Sequence, residues 1–240
     1  MKNIRIIVEY DGTDFYGWQE QPVHRTVQGE LQRGASRIMG EEIRVIGAGR
    51  TDHGVHALGQ VAHFFTAQDR PIEAIRTGIN AVTGSDVNIR SLTEVDLSFH
   101  SRFSARSKIY RYHIAVEPRP IRERYSWTIP YRIDYERMSA AAALFNGRLD
   151  FRSFSVQEDP GKNSFCEIKE ISLTMIDGEI IITVEADRFL RRMVRGLVGF
   201  LTDVGRGRFK PEDALEAQQG KVKNMFFAPA RGLFLVKVNY

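Results

Sequence analysis

Residues 47–64 read GAGRTDHGVHALGQVAHF, a glycine-punctuated turn of polar and ionisable side chains that runs into an apolar-rich segment. Glycine permits backbone angles other residues avoid and lets a ligand approach closely, so Gly47, Gly49 and Gly54 predict a turn exposing Arg50, Thr51, Asp52 and His53. Strands are expected on both sides of it, over Glu42–Ile46 and Gly59–Thr66, with Gln60 to Phe64 anchoring the turn in a sheet.

Working outward, Ile4, Ile6, Val8 and Tyr10 alternate along Asn3–Tyr10 and predict a first strand. A loop follows over Asp11–Pro22, mixing turn formers with aromatics. Val27, Leu31, Ala35 and Ile38 recur at helical spacing behind a capping Thr26, which predicts a helix to Met39. After the turn, Pro71 suits the start of a helix carrying Ile72, Ile75 and Ile79, and Val87–Val95 reads as a strand. The order βαββαβ is the split, ferredoxin-like arrangement.

The second half repeats the order with insertions. Ile109–Val116 alternates as a strand, Asp134 is positioned to cap a helix carrying Met138, Ala141, Ala142 and Phe145, and Gly147 should end it. Cys166–Met175 and Glu179–Glu185 are strands joined by Asp177-Gly178, a strong hairpin signal. Leu190, Val194, Leu197 and Leu201 mark a helix, Pro211 starts a short one, and Leu233–Val238 is the last strand. The fold class expected is α+β: two ferredoxin-like βαββαβ halves, residues 1–103 and 104–240, joining antiparallel sheets around a central cleft.

Composition is that of an ordinary globular protein. The 34 Lys and Arg exceed the 30 Asp and Glu, giving a net charge of +4, and with a pI near 9.2 an anionic partner is plausible. One cysteine, Cys166, cannot form an internal disulfide or a cysteine-rich metal site. Neither a secretory leader nor a membrane-spanning run is evident, so a cytoplasmic protein is the default expectation.

Asp52 admits several chemistries: covalent nucleophile, general base or metal ligand, against the plain alternative of a turn aspartate bonded to its own backbone. Arg50, two residues earlier, can pair with phosphate or stay a surface charge. His53, His56 and His63 invite a metal, but their spacing on a glycine-containing turn is not the helical HExxH pattern. Residues 101–112, SRFSARSKIYRY, interleave Arg102, Arg106, Lys108 and Arg111 with Phe103, Tyr110 and Tyr112. Cations neutralise phosphates and rings stack on unpaired bases, which suits RNA; an amphipathic strand with core tyrosines fits equally. In residues 187–195, DRFLRRMVR, Arg188, Arg191, Arg192 and Arg195 fall at i, i+3, i+4 and i+7, predicting a basic helical face.

Taken with EYDGTDFYGWQEQP, DFRSFS at Asp150–Ser155, RRMVRGLVGFL and the closing APARGLFLVKV, these stretches resemble the tRNA pseudouridine synthase A family over nearly the whole chain. The RTDxGVHAxGQV string is the most specific of them. The resemblance implies that Asp52 is the catalytic nucleophile toward uridine and that Arg50 helps open or replace the flipped nucleotide. It further implies that Tyr110 stacks on the target base, that Arg195 pairs with the catalytic carboxylate, and that Leu233 packs beneath the base. It implies no metal and no organic cofactor, a homodimer, and a tRNA partner modified at positions 38, 39 and 40 of the anticodon stem-loop. DRFLRRMVR is more basic than the usual family segment, which bears on RNA contacts, and His53 stands at a variable position. Isomerising a uridine requires it to leave its stack, at a cost of a few kcal/mol. Two rival readings remain: a non-catalytic RNA-binding module, which gives Asp52 no role, and a metal-dependent hydrolase using Asp52, His56 and His63.

Overall fold

The computed structural model describes residues 1–156, 161, 163–222 and 225–240. In strand β1 (Lys2–Tyr10) the alternating Ile4, Ile6, Val8 and Tyr10 are all buried, as a one-sided strand requires. Helix α1 (Val27–Met39) starts where Thr26 accepts the Gly29 N–H and ends at Gly40, whose φ of 72° forms a left-handed cap. Strand β2 (Ile46–Gly47), strand β3 (His56–Thr66), helix α2 (Ile72–Val82) and strand β4 (Val87–Val95) follow.

β1 pairs antiparallel with β3 and with β4, and β2 pairs antiparallel with β3. That is the split βαβ arrangement expected of this half. One element differs. The strand expected over Glu42–Ile46 shrinks to Ile46–Gly47 because side chains capture its backbone: Ser36 Oγ accepts the Ile43 N–H, Gln32 Oε1 accepts the Val45 N–H, and Gln28 Nε2 donates to the Val45 carbonyl. With those groups satisfied from α1, no ladder is needed.

The chain divides into two compact units, Met1–Arg106 with Phe234–Tyr240, and Ser107–Leu233. The final strand β10 (Leu233–Asn239) thus contributes residues 234–239 to the first unit, where it runs parallel to β3 in the register Phe234↔His56 and Leu235↔Ala57. The sequence partition at residue 103 places that strand in the second half. Only a non-local pairing assigns it to the first.

In the second unit, strand β5 (Ser107–Ala115) buries Tyr110, Tyr112 and Ile114 and exposes Arg111, the alternation its sequence predicts. A two-residue strand β6 (Trp127–Thr128) lies parallel to it. Helix α3 (Tyr135–Ala143) is capped by Asp134, whose side chain accepts the Arg137 N–H. Strand β7 (Gly147–Asp150), strand β8 (Phe165–Ile176) and strand β9 (Glu179–Ala186) continue antiparallel, in the order β5-β9-β8-β7. The β8–β9 hairpin closes through Asp177 and Gly178 at φ of 49° and 70°, the backbone an Asp-Gly turn of primed type requires.

Helix α4 (Met193–Gly205) is a second departure. Arg188, Arg191 and Arg192 precede it, and Arg192 has a φ of 62°, so the expected four-arginine helical face does not form; only Arg195 lies on the helix. Asp187 Oδ1 accepts the Arg188 and Glu167 N–H groups, holding this segment outside the helix. A short helix α5 (Asp213–Gln218) completes the unit. No helix among the described residues is long and apolar enough to cross a membrane.

Candidate active site

Asp52 lies on the turn between β2 and β3, and the first unit holds this turn from several sides. Before it, the Ala48 N–H donates to Val61 O and Gln60 Nε2 donates to Gly49 O. Thr51 is buried: its hydroxyl lies 2.8 Å from the Tyr10 hydroxyl, and its carbonyl accepts the Trp18 N–H at 3.0 Å. Burial pushes the Tyr10 phenol up to about 12, so it remains a neutral hydrogen-bonding partner. After it, the Val55 N–H closes onto Asp52 O at 3.1 Å, and Gly54, at φ 76°, reverses the chain. Arg50 and His53 project from the same turn and are exposed, while Asp52 is partly exposed.

The loop over residues 11–22 turns out to be the buttress of this turn. Phe15 and Trp18 are fully buried, and Trp18 packs so tightly on Gly47 that a Cβ there would come within 2.6 Å of the indole. Gly47 is therefore required for close packing and does not adopt a left-handed backbone, unlike Gly54. Gly17 has a φ of 86°, and a Cβ on it would stand 2.6 Å from Thr51 O. The His53 Nδ1 sits 2.8 Å from the Phe15 carbonyl. Phe15 and the Gly17-Trp18 pair, in a loop that should otherwise be solvated, are the sequence signal for this role.

The histidines have other partners. His56 is buried, accepts the Gly12 N–H on Nδ1 at 3.0 Å, lies 3.1 Å from Asp11 Oδ1 and stacks on Phe234 at 4.6 Å. His63 Nδ1 contacts Ser101, and its ring packs near Phe65, Phe99 and His100. Burial, with a contribution from His100, holds the His63 imidazole down to about 4. Among the described residues, no group of three or more His, Cys, Asp and Glu side chains is arranged to hold a metal ion.

The second unit positions the other candidates. Tyr110 is buried with its ring edge-on to Phe189, centroids 4.8 Å apart. Arg195, in the first turn of α4, donates from Nε to the Ala228 carbonyl at 2.7 Å, while the Ala228 N–H returns a bond to Arg195 O. Two glycines let α4 lie close to neighbouring backbone: a Cβ on Gly196 would meet Phe154 O at 2.2 Å, and one on Gly199 would meet Phe226 O at 2.0 Å. Tyr112, one β repeat from Tyr110, donates its hydroxyl to Pro229 O; burial raises its phenol, with the Arg195 and Arg231 charges opposing. Leu233 is buried where β10 begins, next to Gly232, on which a Cβ would come within 2.8 Å of the Tyr112 ring. Tyr112, Gly196, Gly199 and Gly232 thus form the scaffold that fixes Arg195 and the chain leading to Leu233. A single sequence does not single them out.

A model of the tRNA pseudouridine synthase family matches residues 6–104 and 141–240, spanning both units. Three relatives are named tRNA pseudouridine synthase A. That of Chlorobium luteolum is 40% identical over 243 residues, covering 100% of this chain and 96% of its own. That of Pseudothermotoga lettingae is 41% identical over 245 residues, and that of Acetivibrio thermocellus 36% identical over 244, each covering 100% of both chains. A match of this extent, carried through the Asp52 turn and its aromatic buttress, decides the assignment: the chain belongs to the tRNA pseudouridine synthase family of isomerases.

Proposed function

We propose that this enzyme isomerises uridine to pseudouridine at positions 38, 39 and 40 of the tRNA anticodon stem-loop, with Asp52 as the nucleophile. The observation that carries the reading is the anchored turn: Thr51 is tied on one side to Tyr10 and Trp18, and Val55 closes the other side, so a partly exposed carboxylate stands on a hydrogen-bonded backbone. The carboxylate forms a bond with the nucleotide, at C6 of the ring or at C1′ of the ribose, while the N1–C1′ bond breaks. The base turns, C5 joins C1′, the C5 proton leaves to solvent while the freed N1 takes a proton up, and the carboxylate departs. Atoms balance without an oxidant, a reductant or a cofactor.

The remaining residues take the roles their chemistry fits. Arg50, exposed beside Asp52, occupies the space the flipped nucleotide vacates. Tyr110 supplies a ring against the target base, Leu233 an apolar surface beneath it, and Arg195 a cation for the carboxylate. The enzyme works in the cytoplasm as a homodimer, one tRNA touching both subunits.

Mapping pseudouridine in total tRNA from a strain lacking the protein tests the substrate. Loss at positions 38, 39 and 40, restored by the wild-type chain and not by Asp52→Asn, is the expected result; unchanged modification there would refute it. Sedimentation at micromolar concentration should show a dimer, and a monomer alone would remove that part of the reading.

A further inference from the structure

Three rings gather at the Asp52 turn. Tyr16 stacks on His24 with centroids 4.0 Å apart and planes 15° apart, and lies 5.1 Å from His53 at 37°. Tyr16, 48% exposed, lies flat on His24 alone and meets His53 at a tilt, and both histidines are exposed. The three are fixed through the backbone. The Tyr16 N–H donates to Arg25 O at 2.8 Å, which holds the His24 segment alongside; the His53 Nδ1 lies 2.8 Å from Phe15 O; and the Gly54 N–H reaches the same carbonyl at 3.4 Å. His53 follows Asp52 directly in the chain.

Rings gathered in this way and left open to solvent bury little apolar surface for the order they impose, so packing alone does not account for them. They suit a planar ligand. Every nucleobase offers a π face, and aromatic clusters of this kind extend by one ring when an unpaired base stacks on them. A nucleotide extruded toward Asp52 also leaves its neighbours without a stacking partner.

We propose that Tyr16, His24 and His53 form a stacking platform for an unpaired nucleobase of the tRNA that flanks the uridine presented to Asp52. The proposal rests on the reading of Asp52 as the reactive centre and adds a binding site that reading does not require. Tyr16 here is a binding residue, not a catalytic one.

Binding of tRNA transcripts to the full-length chain, measured by filter retention in an Asp52→Asn background, reads the platform without turnover. Tyr16→Leu keeps apolar bulk and removes the ring; it should weaken binding roughly 10- to 100-fold, the range set by loss of one stacked base. Tyr16→Trp should bind within about twofold of Tyr16. Transcripts with a single abasic nucleotide, tested at each loop position, should include one for which Tyr16→Leu costs nothing further. In the Tyr16→Trp chain, indole emission should be quenched by the intact transcript and not by that abasic one. Wild-type affinity in Tyr16→Leu, or a penalty equal on every abasic transcript, overturns the platform. If Tyr16→Leu does not fold, the quenching experiment decides alone, and quenching by the critical abasic transcript overturns it. Tritium release by the Asp52→Asn chain would refute the nucleophile while leaving these binding results readable.

Discussion

Replacing Gly17 with alanine should damage the Asp52 turn from a distance. Gly17 has a φ of 86°, where an L side chain costs about 1–2 kcal/mol. Its new Cβ would stand 2.6 Å from Thr51 O and 3.2 Å from both Asp52 C and His53 N, all of them backbone atoms that cannot swing aside. Relieving that overlap costs a further ~1–3 kcal/mol and endangers the Trp18 N–H bond to Thr51 O, which contributes about 1 kcal/mol. The total is about 3–6 kcal/mol if the turn stays in place, less if it moves. Movement of about 1 Å would lower kcat roughly 100-fold. Gly40 is the matched comparison, with a φ of 72° and nothing within 4 Å of a built Cβ. Gly40→Ala should therefore lose only ~1–2 kcal/mol and keep its activity. Urea unfolding and release of tritium from 5-tritiated uridine in tRNA measure both effects. Equal losses of stability and activity in the two variants would refute the buttress.

Other perturbations probe other parts. Gln32→Ala strands the Val45 N–H, which should cost ~1–3 kcal/mol and raise amide exchange at Val45; unchanged protection there would mean the side chain is not what replaces the strand. His63 is buried and its imidazole is held at about 4 against an ordinary 6.5, so the folded state disfavours a proton that the unfolded chain accepts. Its contribution is therefore fully present above pH 6.5 and is lost as the pH falls toward 4, by about 3 kcal/mol in all. His63→Gln should flatten that part of the stability profile, and an unaltered slope would contradict it. Arg195→Lys keeps a cation but gives up the Nε bond to Ala228 O, and should lower kcat about tenfold with little change in tRNA affinity; wild-type turnover would show that the guanidinium geometry is idle.

Where neighbouring residues dictate structure, the sequence was readable. The Asp177-Gly178 hairpin, the Thr26 and Asp134 caps and the β1 alternation each follow from a few adjacent positions. Long-range contacts escaped it. Periodicity predicts a strand before Gly47, but α1 glutamines bind that backbone first. Arginine spacing predicts a helix from Arg188, but Arg192 enters a left-handed conformation and the helix begins one residue later. The last strand looks like the natural end of the second half until its pairing with β3 is seen. The same division holds at the site. The motif marks Arg50 and Asp52, whereas the reason for Gly47 is a buried indole from a distant loop, and the Tyr16 cluster joins three segments that no local pattern connects.

The most direct measurement is tritium release from 5-tritiated uridine in tRNA by purified wild-type, Asp52→Ala and Asp52→Asn chains, with folding checked by thermal melting. If Asp52 is the nucleophile, both variants should melt like the wild type and bind tRNA, yet release no tritium above background; release at the wild-type rate by either would contradict the account.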